Sequence, residues 1–297
     1  MEDTKQSPES PHAEFNGMPC GKLGNAAVSR LVLDGNPLVG NVHSRDLKYV
    51  SRLATTYLTP ERVQETLRLA EANGINTVLG WGEEFVNDYN ASGGKMQFIA
   101  RVSPKLRGAE LADAIKQNID SGAIAQFTDP CETDEMVRAE GVGPLASVIE
   151  AAAKVDLPIG VGTWALPVVK GCEEEQSPVD FYVQSFHSDG YATAKPTPPE
   201  VRDPFIQQTP GYFDNIWCAR PEQVIEVFKS IAKPWLATKV LAAGAIDPRR
   251  GLAYALEDAG ADFAAVAMFD FMIADYATNA KRIVPRADKN RARPWQA

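Results

Sequence analysis

Histidine is nearly absent from this chain, with three residues in 297: His12, His43 and His187. No HxH or HExxH arrangement can be built from them, which excludes a metal site carried by a local histidine motif. Cysteine is almost as scarce. Cys20, Cys131, Cys172 and Cys218 stand far apart without a CxxC pair, so neither a zinc site of that kind nor a disulfide framework is indicated. Such spacing reads as free thiols in a reducing compartment, the cytoplasm. No apolar run approaches the length of a membrane span. The opening stretch MEDTKQSPESPHAEFNG lacks the apolar core of a signal peptide. With a net charge of −9, the chain also lacks the basic surplus that nucleic-acid binding favours. The partner left by these exclusions is a small molecule, and association of like chains stays open.

What is present is a repeating alternation. Residues 1–20 are polar, with Pro and Ser, and read as a disordered leader. From residue 21 to 297, short β-rich runs alternate with helical runs. Strands are expected at 29–33, 75–79, 97–102, 123–127, 157–161, 180–186, 235–241 and 262–268. Helices are expected at 59–73, from 83, at 109–119, 145–153, 167–174, 221–232, 251–259 and 273–283. The first has Thr59 placed to cap it, Pro60 in its first turn and Gly74 just past its end. Eight βα units with mostly unbroken apolar strands predict a closed α/β barrel of the (β/α)8 kind in one domain. The alternative is a doubly wound open sheet, but no Gly-rich dinucleotide fingerprint follows the first strand. Two long excursions, 36–57 after strand one and 187–220 after strand six, are expected to project as rim loops. Loops of that length usually close over or bind ligands.

In such barrels the C-terminal ends of the strands carry the chemistry. Lys239 falls near the end of strand seven, in KPWLATKVLAAGAI. Facing inward, it is suited to Schiff-base formation or proton transfer; facing outward, it snorkels to solvent. His187 ends strand six, where an imidazole can act as acid, base or metal ligand. Asp34 and Asn36 end strand one and Asp129 ends strand four. Asp34 and Asp129 are candidates to orient the catalytic groups, and Asn36 to touch substrate. A divalent metal is admitted, with His187, Asp189 and Asp129 as candidate ligands. The plain alternative for the carboxylates is helix capping and ion pairing. Arg101 ends strand three and is suited to clamping an anion. Trp81, Trp164, Phe186, Tyr191 and Trp217 are candidates to stack on a substrate ring.

The stretch GKLGNAAVSRLVLDGNPLVG at Gly21–Gly40 resembles the opening hairpin and first strand of the aldo-keto reductases, as does Gly74-Ile75-Asn76 before strand two. The second half, from FYVQSFHSDGY to GADFAAVAMFDF, is similar to bacterial barrels loosely grouped with them. The resemblance implies a (β/α)8 barrel and carbonyl reduction with NADPH, using an Asp, a Tyr, a Lys and a His. This chain departs from that set. Leu79 stands for the Asp, no Tyr follows that strand before Tyr89, Arg101 takes the place of the Lys, and Gln126-Phe127-Thr128-Asp129 occupies the end of the strand that carries the His. A tyrosine acid relies on a neighbouring Lys and Asp to tune it. The first expectation is therefore an enzyme of the lyase, isomerase or hydrolase type, acting on a small polar carbohydrate-like or carbonyl substrate. NADPH-dependent reduction is the second expectation and a non-catalytic barrel the third.

Overall fold

Eight parallel strands hydrogen-bond into a closed ring, and this ring explains why the strands are almost uniformly apolar. The structure, a computed structural model, describes residues 13–42, 47–192, 194, 217–218 and 220–297. Three short antiparallel strands come first: β1 (Glu14–Phe15), β2 (Met18–Leu23) and β3 (Ala26–Ser29). The barrel follows as β4 (Leu31–Asp34), β5 (Thr77–Leu79), β6 (Gln97–Val102), β7 (Ala125–Thr128), β8 (Ile159–Thr163), β9 (Phe181–Ser185), β10 (Trp235–Thr238) and β11 (Phe263–Val266), with β11 pairing back to β4.

Inside the ring, side chains fill the space in layers. Val32, Leu79, Ile99, Phe127, Phe181, Val183, Leu236 and Phe263 form an inner cluster that includes Leu23 and Val28 from the hairpin. The hairpin therefore plugs the base. Strand β8 contributes glycines to this layer: a Cβ on Gly160 would lie 2.5 Å from the Phe181 ring. The bulky phenylalanine occupies the room the glycine leaves. A larger cluster lies between the strands and the helices.

The helical layer comprises α1 (Lys48–Tyr57), α2 (Pro60–Ala72), α3 (Glu83–Ala91), α4 (Gly108–Asp120), α5 (Pro130–Glu140), α6 (Gly143–Ala152), α7 (Leu166–Glu174), α8 (Pro221–Phe228), α9 (Pro248–Ala253) and α10 (Asp270–Asn290). Thr59 caps α2, its side chain accepting from the Arg62 amide, and Pro60 occupies the first turn. Gly74 turns the chain in the left-handed region at φ 91. Any Cβ there would strike Met18 and the Phe15 carbonyl at 2.6 Å.

Several expectations need correction. Strand β1 begins at Glu14, inside the stretch read as a leader through residue 20; residues 1–12 lie outside the described residues. The excursion at 36–57 contains a 3-10 turn (Asn36–Val39) and α1. Helix α5 was not expected; Asp129 caps it. Helix α10 continues through Pro285 to Asn290, since burial of Val284 and Ala287 outweighs the missing donor. Strand β10 stops at Thr238, so Lys239 lies beyond it. Most of the excursion at 187–220 lies outside the described residues. Among those residues no helix is long and apolar enough to cross a membrane.

Closure of the ring rests on one buried carboxylate. Asp262, fully buried, precedes β11. Its Oδ2 accepts from the Trp235 amide at 2.9 Å and faces Arg293 Nη1 at 3.3 Å. Its Oδ1 accepts from the Gln296 amide at 2.7 Å and faces Arg291 Nη2 at 3.5 Å. Arg30, just before β4, donates to the Asp262 carbonyl. Burial lowers the pKa of all three guanidinium groups, and the charge of Asp262 opposes that shift. An Asp262→Asn variant removes the charge and leaves buried cations around a neutral amide. It is expected to lose about 3–5 kcal/mol of stability, read as a lowered denaturant midpoint.

Candidate active site

The strand ends converge on a cleft with two compartments. The larger, about 490 Å³, lies between α1, the start of α10 and the loops after β10 and β11. Its walls are largely apolar, with Tyr57, Trp217, Phe269, Phe271 and Met272 among them. The smaller, about 210 Å³, lies over β5 to β8 and is lined by Leu79, Trp81, Arg101, Asp129, Cys131 and Trp164 among others. Asp34, Asn36, Asn41 and Lys239 line both compartments.

Each shared residue is placed by local structure. Asp34 closes β4 and is buried. Its Oδ1 accepts from the Asn36 amide at 3.0 Å and from Asn36 Nδ2 at 2.6 Å. The Asn41 side chain in turn donates to Asn36 Oδ1 at 2.8 Å. This chain of bonds fixes the carboxylate's orientation. Lys239 follows β10 in the left-handed region at φ 60, and Ala242 and Ala243 repeat that backbone sign at 45 and 51. Of the five described non-glycine residues with positive φ, three lie in this one loop. Such strain persists where surrounding packing enforces it, and it concentrates at functional sites. Lys239 Nζ sits 5.0 Å from the centre of the Trp217 ring. No carboxylate among the described residues pairs with it.

Three of the positions singled out by the aldo-keto reductase resemblance meet in the smaller compartment with altered chemistry. Leu79 is apolar. Arg101 Nη1 pairs with Asp129 Oδ2 at 2.7 Å, and its guanidinium carbon stands 3.7 Å from the centre of the Trp81 ring. Burial lowers the Arg101 pKa, opposed by Asp129. Asp129 also accepts from the Glu132 amide at 2.9 Å, so it is both a cap and an ion-pair partner. Trp81, expected to stack on a substrate ring, lines this compartment and packs against the Arg101 guanidinium; Phe186, expected to do the same, is instead buried against Trp235 and Tyr254.

His187 does not join this site. It is buried, its Nε2 accepts from the Trp217 and Cys218 amides at 3.0 and 3.1 Å, and its Nδ1 donates to the Ser188 carbonyl at 2.8 Å. That pattern fixes a neutral tautomer and anchors Trp217. Asp189 is exposed, and Tyr191 packs edge-on to His187 at 6.1 Å; neither lines the described cleft. The candidate metal set of His187, Asp189 and Asp129 is therefore not brought together. Among the described residues no group of three His, Cys, Asp or Glu side chains is placed to hold an ion. Strand-end position alone could not distinguish a histidine aimed at the cleft from one bonded to the main chain. His43 and its surroundings lie outside the described residues.

The outer wall of the larger compartment hangs on Asp270. Its Oδ1 accepts from Tyr57 Oη at 2.7 Å and from the Phe271 amide at 2.9 Å, and its Oδ2 from Arg62 at 2.8 Å. Tyr57 packs edge-on against Phe269 and Phe271, which stack on each other at 5.6 Å. Burial raises the Asp270 pKa, but the three donors together outweigh it and hold the carboxyl below its ordinary value. A depressed carboxyl pKa stabilises the wall fully above the unfolded value, about 4, and that contribution is lost as pH falls through the folded value. Acidification below about pH 4 is thus expected to release α1, seen as faster amide exchange in α1 than in the barrel strands. Asp270→Asn should produce the same release at neutral pH. In the loop after β10, Ala243→Gly is expected to raise stability by about 1 kcal/mol, measured by denaturant unfolding.

Neither protein-family models nor curated proteins give a match to the chain. Solved structures do. A Pseudomonas aeruginosa protein provisionally described as an aldo-keto reductase superposes with TM-score 0.57 at 16% identity, covering 93% of this chain and 99% of that one. The flavin-binding domain of baker's yeast flavocytochrome b2 gives 0.51 at 10% identity, over 91% of this chain and 67% of that one. A mandelate oxidase gives 0.50 at 11% identity, over 95% and 81%. At these identities the likeness is one of fold, the closed parallel barrel with its surrounding helices.

Proposed function

We propose that this chain is an oxidoreductase of small carbonyl compounds or their alcohols, with a planar redox cofactor in the larger compartment and the substrate in the smaller. The observation that carries this reading is the shared boundary: Asp34, Asn36, Asn41 and Lys239 line both spaces. Two molecules bound side by side meet there and nowhere else in the described cleft. The larger space lies within the range of ligand and cofactor pockets. Its walls fit an aromatic ring system, and the small residues Ala242 to Gly244 let a polar group approach the backbone. The barrels it resembles in fold include proteins named for reduction or oxidation.

A nicotinamide or flavin bound in that space would supply the hydride. The chain's own part is polar and positional. Lys239 Nζ, steered by Trp217 rather than by a carboxylate, donates to the substrate oxygen. Asp34, locked by Asn36, presents a fixed acceptor at the same boundary. The apolar walls exclude water, which strengthens both interactions.

A second reading keeps the acid–base chemistry expected of a lyase. It is favoured by the same lysine, whose lack of a carboxylate partner among the described residues leaves it open to a carbonyl. Titration of the full chain with NADPH and with FMN, followed by tryptophan fluorescence, separates the two. The oxidoreductase reading expects one of them to bind below millimolar concentration. It also expects Lys239→Met to lower turnover about 10²–10⁴-fold with little change in cofactor affinity. Absence of binding by either cofactor, together with borohydride trapping of a carbonyl compound on Lys239, would overturn it in favour of the second.

A further inference from the structure

The smaller compartment is lined by two cations, each lying over an indole ring. Arg101 stacks on Trp81 and Lys239 lies over Trp217. An indole satisfies a cation through its ring face and leaves in-plane N–H groups free to bond elsewhere. Of the Arg101 donors only Nη1 is engaged, by Asp129. Its Nε and Nη2 have no partner among the described residues and belong to a side chain lining the compartment. The two carboxylates at the site are committed: Asp129 holds Arg101 and caps α5, while Asp34 is bonded twice by Asn36. The donor capacity left over is cationic and convergent.

We infer that the smaller compartment recognises a small oxo acid, its carboxylate on the free Nε/Nη2 edge of Arg101 and its carbonyl oxygen toward Lys239 Nζ. This deepens the proposed function and rests on it for the identity of the reacting carbonyl. The parallel N–H groups of a guanidinium match the two oxygens of a carboxylate, which a lysine at position 101 would not reproduce. Trp81 and Asp129 act as positioning residues. The first fixes the plane of the guanidinium, and the second fixes its rotation within that plane. Leu79 supplies an apolar floor beneath the carbon skeleton.

The test uses the full chain and binding alone, so its outcome does not depend on cofactor or turnover. Pyruvate and its uncharged amide are titrated calorimetrically against the parent protein and against Arg101→Gln, Arg101→Lys and Lys239→Met, each first checked for an unchanged melting temperature. Pyruvate is expected to bind about ten- to a hundred-fold more tightly than the amide. Arg101→Gln should erase that preference, Arg101→Lys should restore only part of it, and Lys239→Met should weaken both compounds alike. Cys131, the exposed thiol in the same compartment, gives a second readout: pyruvate, and not the amide, should slow its alkylation. Equal binding of acid and amide, binding of neither, or an acid preference that survives Arg101→Gln would overturn the inference. If the acid preference holds while neither NADPH nor FMN binds, the anion subsite stands and the reading of the larger compartment falls.

Discussion

The barrel depends on the carboxylate of Asp262. A parallel ring must join its last strand to its first, and those segments are separated by more than two hundred residues of chain. Loop closure over such a length carries a large entropic cost. Asp262 offsets it by gathering the start of β10 and the C-terminal segment around its carboxylate, while Arg30 before β4 bonds to its carbonyl. The arginines bound there stack on Trp295 as well, Arg30 at 3.9 Å and Arg291 at 3.3 Å from ring centres. The base of the barrel is thus held by polar contacts buried from water, while its interior is held by aliphatic and aromatic packing.

That division of labour frees the opposite rim. Strand ends at the rim need not contribute to closure, so they can carry groups that would be costly in a core. The rim uses this freedom in a consistent way: both cations pack on indoles, Asp34 is restrained by Asn36, and Asp129 is held by a cap and by its pair with Arg101. The left-handed backbone at Lys239 belongs to the same economy, because an ordinary strand continuation would carry the side chain along β10 rather than across the boundary between compartments.

The sequence disclosed the fold well and the site unevenly. Mostly unbroken apolar runs identified all eight barrel strands, and Thr59, Pro60 and Gly74 marked α2 almost to the residue. Helices α1 and α5 were not anticipated, the first because few of its side chains are buried and the second because its buried face mixes Thr133 and Asp134 with Met136 and Val137. Lys239, Asp34, Asn36, Asp129, Arg101, Trp164 and Trp217 do meet at the described cleft. His187 fails as a cleft residue because a bond to main-chain amides leaves no trace in composition or spacing. The division into two compartments was hidden for a different reason. It arises from the relative heights of several strand ends, a property of register rather than of any one segment.

Helix α1 has a consequence for access. Leu53 and Tyr49 on it are 63% and 61% exposed, and across the mouth Phe271 is 67% exposed. Little burial holds this helix beyond Ala54 and the hydroxyl of Tyr57. Segments so lightly packed open locally at a small fraction of the global unfolding free energy. Local opening of α1 would widen the mouth of the larger compartment while the barrel strands beneath it stay paired.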